Sequence, residues 1–172
     1  MEHDYSYRAK DISLRPLSVE DSEKYRQLRN REDNRRWFKT DVVIAADAQE
    51  KWYRNYLLKP AEYMFAIEEN ETGEFLGAVG LYDIDSETKS AEIGRIIVDR
   101  YKAGGKGYAS IALESVCRIG VEQLDLQRIY AEIYADNAAS IRSFEKIGFL
   151  AIAEMETENG SMIVQVEKTE WD

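Results

Sequence analysis

Cysteine and histidine are almost missing from this chain: Cys117 and His3 are the only ones among 172 residues. A single cysteine excludes an intrachain disulfide and suits a reducing, cytoplasmic setting. Cys117 falls in an apolar helical stretch, where a thiol serves packing rather than nucleophilic attack. His3 stands in a polar terminal stretch, so neither a Ser-His-Asp triad nor a histidine-based metal site is expected, and no metal is called for. No apolar run comes near the roughly 18 residues of a membrane span. The opening Met1-Glu2-His3-Asp4 is polar and no apolar signal core follows it. Excess positive charge is missing too. With 33 acidic against 23 basic residues the net charge is −10, which excludes a generic nucleic-acid binder and suits a cationic partner or plain solubility.

Hydrophobic residues make up 44% of the chain, enough to build one core and to exclude wholesale disorder. The length fits one domain over residues 11–172 behind a polar tail, 1–10. Asp11 to Leu17 alternates and reads as a first strand. Ser18 and Asp21 have the spacing of a capping box and open a helix that carries Tyr25 and Leu28. A basic and aromatic stretch, Arg29 to Phe38, interrupts an otherwise acidic chain. Ala45 to Leu58 reads as a second helix, ended by Pro60. Tyr63 to Glu68 and Phe75 to Tyr82 form a hairpin about Asn70-Glu71-Thr72-Gly73. Ala91 to Val98 is a further strand, Arg128 to Tyr134 another, and Phe149 to Met155 and Met162 to Lys168 close the chain.

The strand ending at Val98 leads to Gly104-Gly105-Lys106-Gly107-Tyr108-Ala109. A helix follows, with Ala109, Ala112, Leu113, Val116 and Gly120 on one face. Three glycines let the backbone turn tightly and approach a ligand closely, and the helix start offers free N–H groups and a positive dipole end. That is a phosphate-binding arrangement, although a tight turn without a ligand explains the same residues. It is neither a P-loop, since no Ser or Thr follows Lys106, nor a dinucleotide fingerprint, since Ser110 takes the place of the third Gly or Ala.

One strand later comes Asn137-Ala138-Ala139-Ser140-Ile141-Arg142-Ser143-Phe144-Glu145-Lys146-Ile147-Gly148-Phe149. By local physics it is a helix capped at Asp136 or Asn137 and stopped at Gly148. If the strands before the two helices are parallel neighbours, both helix starts face one cleft.

These two stretches carry a resemblance. From about Ile12 to Lys168 the chain resembles the GCN5-related N-acetyltransferases (GNAT family). Their acetyl-CoA loop has the pattern (Gln or Arg)-x-x-Gly-x-(Gly or Ala), matched by Gly107 and Ala109, with Gly104 where Gln or Arg is usual. The second family pattern is met by Asn137, Ser140, Ile141, Phe144, Lys146, Ile147, Gly148 and Phe149.

The resemblance implies a single α/β (α+β) domain with a mixed sheet of six to seven strands. Its central strands splay at the acetyl-CoA site, and about four helices flank it. It implies an acyltransferase that moves acetyl from acetyl-CoA to a primary amine by direct attack. Expected at the acetyl-CoA site are Ile96, Ile97 and Val98 for the pantetheine arm, Gly104, Gly105, Lys106, Gly107, Tyr108 and Ala109 for the pyrophosphate, and Asn137, Ser140 and Phe144 beside it. Glu92 resembles the acidic residue that serves as base in many relatives. Phe144 stands where many carry the tyrosine that protonates the thiolate, which leaves Tyr134 or solvent for that step. The acceptor side is expected at Arg29, Arg35 and Trp37. The pattern is similar to acetyltransferases of nucleotide-linked amino sugars, the acceptor expected here because arginine grips phosphates and aromatics stack on a base or sugar. It is also similar to ribosomal-protein and polyamine acetyltransferases, and a polyamine or protein N-terminal acceptor is the alternative. A weakly catalytic acyl-CoA sensor is the reading from another class. The expected partner is a small-molecule amine, with no nucleic acid and no membrane, and with room for a homodimer.

Overall fold

The computed structural model describes residues 2–171. Eight strands among them form one sheet: β1 (Tyr7–Arg8), β2 (Ile12–Pro16), β3 (Tyr63–Glu69), β4 (Phe75–Asp85), β5 (Ser90–Val98), β6 (Arg128–Tyr134), β7 (Leu150–Glu156) and β8 (Met162–Lys168). Their order is β1-β2-β3-β4-β5-β6-β8-β7. Only β5 and β6 are paired in parallel; every other neighbouring pair is antiparallel. The mixed sheet is as expected, with one strand more than the six to seven foreseen. The addition is β1, two residues long and inside the stretch read as a polar tail. Tyr5 and Tyr7 also pack there against the core, and the ring of His3 lies edge-on to Tyr63 and Phe65, each 5.0 Å away. Tyrosines and a histidine bury apolar ring area while keeping a polar tip wet, so a polar composition concealed an ordered segment.

The four longer helices are α1 (Val19–Asn30), α3 (Ala46–Leu58), α5 (Tyr108–Leu124) and α6 (Ala138–Glu145); α2 (Glu32–Arg35) and α4 (Arg100–Ala103) are single turns. Local chemistry sets their ends. The amide of Asp21 donates to Ser18 Oγ (3.1 Å) and the amide of Ser18 to Asp21 Oδ2 (3.0 Å), a complete capping box. Lys59, the residue before Pro60, is extended at ψ 130°, as the proline ring demands. Asn137 Oδ1 accepts from the amide of Ser140 and starts α6. Asp125 ends α5 in the left-handed region, φ 57°.

Strand alternation divides the core in two. Phe65, Ile67, Val79, Leu81, Ala91 and Ile93 face α5, whose Ala112, Leu113 and Val116 lie against them. Met64, Ala66, Ala78 and Ile97 face the other way, under Tyr25 and Leu28 of α1 and Tyr56 of α3. Cys117 lies on the α5 side, 4% exposed, and burial pushes its thiol up to about 12. That thiol packs and does not react at neutral pH.

Candidate active site

The site begins where the sheet comes apart. β5 and β6 are in register only from Ser90–Arg128 to Glu92–Tyr130, although β5 continues to Val98 and β6 to Tyr134. Beyond Glu92 the two strands diverge. On its other edge β5 carries a bulge: Gly94 pairs with Gly80, but Ile97 pairs with Ala78. Arg95 and Ile96 therefore stand opposite one residue, and Arg95 has φ 53°. A non-glycine residue in that region stores strain of about 1–3 kcal/mol, which neighbouring contacts must offset. Here the Arg95 guanidinium pairs with Glu62 at 2.5 Å and lies 4.1 Å from the Tyr82 ring centre. The hydroxyl of Tyr25 donates to the Arg95 carbonyl at 2.9 Å. The bulge is thus held in place from α1, β4 and the segment before β3.

The gap between the strands is a cavity lined by Gly94, Arg95 and Ile96 of β5, Ala131 to Tyr134 of β6, and Asn137, Ser140 and Phe144. Trp37, Phe38 and Lys39, from the loop after α2, form its third wall. A second groove continues from it along Ile96, Ile97 and Val98 to Ala109 and Leu113 of α5, with Asn137, Ser140, Trp37 and Phe38 shared by both. The two make one cleft, running from the divergence to the start of α5.

At that start, Gly105 and Gly107 have φ 78° and 72°. Open space lies over Gly105 where a Cβ would stand, and the nearest atom to a Cβ on Gly107 is Lys146 Nζ, 3.7 Å away. No side chain caps α5, whose N-cap is Gly107 itself. Its first-turn amides and dipole end thus face an accessible, glycine-cleared approach, which fits a phosphate group. The other loop residues turn elsewhere. A Cβ on Gly104 would collide with the carbonyl of Arg100. Lys106 pairs with Glu69 at 3.0 Å, and the buried Tyr108 hydroxyl donates to the same carboxylate at 3.4 Å. Phe144 is 2% exposed and packs edge-on to Phe149; with no hydroxyl it cannot supply a proton.

Glu92 sits at the point of divergence, 8% exposed. Burial raises its carboxyl above the usual carboxylate range, while a 3.0 Å hydrogen bond from the Tyr82 hydroxyl acts against that shift. A carboxylate whose proton affinity is raised by burial is a stronger base than one in free solution, which suits a general base. Tyr82 is held by the same bond, and burial pushes its phenol far up. The strand leaves room for it, since a Cβ on Gly94 would strike the Tyr82 hydroxyl. Tyr134 lies at the far end of β6 on the cavity wall.

Across the gap, Lys39 Nζ pairs with Glu132 Oε2 at 3.1 Å, and Glu92 and Tyr134 lie close enough to act on that ammonium electrostatically. The sequence did not single out Lys39, Glu132 or Tyr82. Each is one polar residue on an alternating strand or in a charged run. The one available signal was that Lys39 follows Trp37-Phe38.

Of the residues expected on the acceptor side, Trp37 lines both parts of the cleft. Arg29 is 4% exposed. Its Nη2 donates to the Thr40 carbonyl at 2.6 Å, and Phe38 lies flat over it with 3.8 Å from guanidinium to ring centre. It supports the wall from beneath rather than lining it. Arg35, the last residue of α2, pairs with Asp41 of the loop that follows at 2.5 Å.

A sheet opened between two parallel strands, with a glycine-rich helix start at one end and a buried carboxylate at the other, defines an acyltransferase site of the CoA-dependent kind. Residues 11–150 match the acetyltransferase (GNAT) domain family, and the chain belongs to it. It is 32% identical over 152 residues to the probable N-acetyltransferase YjcK of Bacillus subtilis (strain 168), covering 83% of this chain and 82% of that protein. In fold it is similar to the GNAT-family acetyltransferase of Bacillus anthracis, at TM-score 0.82 and 18% identity over 96% of this chain and 98% of that one. It is also similar to the spermidine N-acetyltransferase of Vibrio cholerae solved with CoA and spermine, at TM-score 0.82 and 21% identity over 92% of this chain and 95% of that one. Among the described residues, no helix is long and apolar enough to cross a membrane.

Proposed function

We propose that this chain acetylates a primary amine of a small polycation, of the polyamine class, with acetyl-CoA as donor. The observation that carries this reading is the carboxylate of Glu132 on the cavity wall, already holding an ammonium, with Glu92 buried at the root of the divergence and acting electrostatically on that same ammonium. An amine entering there exchanges one cation for another. The arginines that a phosphate-bearing acceptor would need are engaged, Arg29 beneath the wall and Arg35 with Asp41. The net charge of −10 favours the same class of acceptor.

Bound acetyl-CoA supplies an activated thioester. The chain supplies the rest. The open edge of β5 at Ile96 to Val98 pairs with an extended arm as an added strand. The first amides of α5 hold the pyrophosphate. Glu92 takes the proton of the attacking ammonium, steadied by Tyr82. Tyr134, on the cavity wall, returns a proton to sulfur, since Phe144 has no hydroxyl.

The test is a two-acceptor assay of CoA release, spermidine against a nucleotide-linked amino sugar. Spermidine turnover with none on the sugar supports the reading. Turnover of the sugar alone would move the acceptor to the rim where Arg36 lies 4.5 Å from the ring centre of Trp37. Binding of acetyl-CoA without turnover of any amine would leave a sensor. The donor half is tested by Gly107→Val, which should weaken CoA binding by roughly tenfold or more by calorimetry, because a branched Cβ obstructs the helix start.

A further inference from the structure

The cleft already contains an amine. Lys39 lines the same cavity as Gly94, Arg95 and Ile96, and its Nζ contacts a carboxylate of β6 rather than of its own loop. The Lys39 side chain is 72% exposed, so it is held there by that one ion pair and not by packing. The wall beneath it is fixed, because Arg29 clamps Thr40 and carries Phe38. A tethered amine whose backbone is anchored one residue away on either side has a high effective concentration at the place where an acceptor must attack.

We propose that the chain acetylates itself at Lys39. The inference rests on the acetyl-CoA reading of the same cleft. The Lys39 ammonium gives a proton to Glu132, the carboxylate it touches. The freed Nζ forms a C–N bond to the thioester carbon as the C–S bond breaks. The acylated nitrogen gives up its second proton to the departing thiolate, and Glu132 passes its proton to solvent, giving free CoA, a neutral amide at Lys39 and a regenerated carboxylate. Glu132 holds the ammonium above the ordinary lysine range, so the reacting amine is a minor species and the step is slower than turnover of a good acceptor. Its product no longer neutralises Glu132. Glu132 is then open to a cationic acceptor, so one slow self-modification converts the cleft from a closed ion pair to a receptive site.

The experiment is intact-mass and peptide mass spectrometry of the full chain incubated with acetyl-CoA and no amine, with spermidine turnover measured on the same preparation. Expected is the mass of one acetyl group, located on Lys39, accumulating roughly tenfold or more faster than on any other lysine. The rate should be independent of protein concentration. Excess CoA or prior unfolding in urea should abolish the selectivity, and Lys39→Arg should remove the modification. Turnover of spermidine with Lys39 unmodified overturns the inference and leaves the function standing. A rate proportional to protein concentration overturns it as well, by making the reaction one between molecules. Absence of both turnover and modification overturns the function together with the inference.

Discussion

Glu92 and Tyr82 show how much one hydrogen bond sets at the residue scale. The hydroxyl of Tyr82 lowers a carboxyl that burial raises. Tyr82→Phe should therefore raise the Glu92 pKa further and move the acidic limb of the kcat/KM profile to higher pH, with the plateau largely kept. A pH series on the two proteins measures the displacement. Glu92→Gln should lower kcat/KM by roughly a hundredfold, the usual scale of a lost general base, with CoA affinity unchanged. The same substitution should raise Tm at neutral pH. A carboxyl whose folded pKa lies above its unfolded one loses stability as pH rises between the two values. The amide is free of that loss, so the Tm advantage should be full above the folded pKa and vanish below about pH 4. Scanning calorimetry at pH 4 and pH 8 tests the sign.

Elements were the scale at which the sequence was most legible. The capping box at Ser18, the break before Pro60, the Asn137 cap and the β6 alternation are local instructions, and each appears where the residues place it. The bulge at Arg95 was not legible, because nothing local favours φ 53° in an arginine. It is held by Glu62, Tyr82 and Tyr25, which lie far off in the chain. The loop after α2 was half legible. Its aromatic and basic character was plain, but that Arg29 of α1 turns inward beneath it, while Arg35 of α2 stays at the surface, depends on where α1 meets the loop. That difference is testable. Arg29→Ala should remove the plate under Phe38 and the clamp on Thr40, at a cost of about 1–3 kcal/mol in urea unfolding. Because Trp37 and Phe38 line both parts of the cleft, the KM for donor and for acceptor should rise together. Arg35→Ala loses one ion pair at the loop surface, and stability should change by less than about 1 kcal/mol.

On the scale of the whole molecule, the order of strands decides the site. Two motifs separated by β6 can share a cleft only because β5 and β6 are parallel neighbours, and they can open a cavity only because their pairing stops at Glu92. The parallel pairing was inferable from strand–helix alternation. The early stop was not: β6 keeps its pairing with β8 from Ile129 to Tyr134 while its pairing with β5 ends at Tyr130, and nothing local in β5 or β6 marks that point. The outer strand β7 is exposed along all seven residues, so this side of the sheet is held through β8 alone.

The three tryptophans are distributed in a way that gives the protein an optical channel. Trp37 belongs to the wall of the cleft, next to Arg36. Trp52 stacks on Tyr56 in the α1–α3 layer, and Trp171 is tied to the Gln127 carbonyl beside Lys168. In a Trp52→Phe, Trp171→Phe protein the remaining indole should report on cleft occupancy alone. Its emission should shift to the blue as CoA displaces water from the groove, and saturate with the dissociation constant found by calorimetry. An emission spectrum indifferent to CoA would place the ligand away from this wall. A shift obtained with acetyl-CoA that then drifts over time without added amine would let the same indole follow, in real time, the loss of the neighbouring lysine's charge.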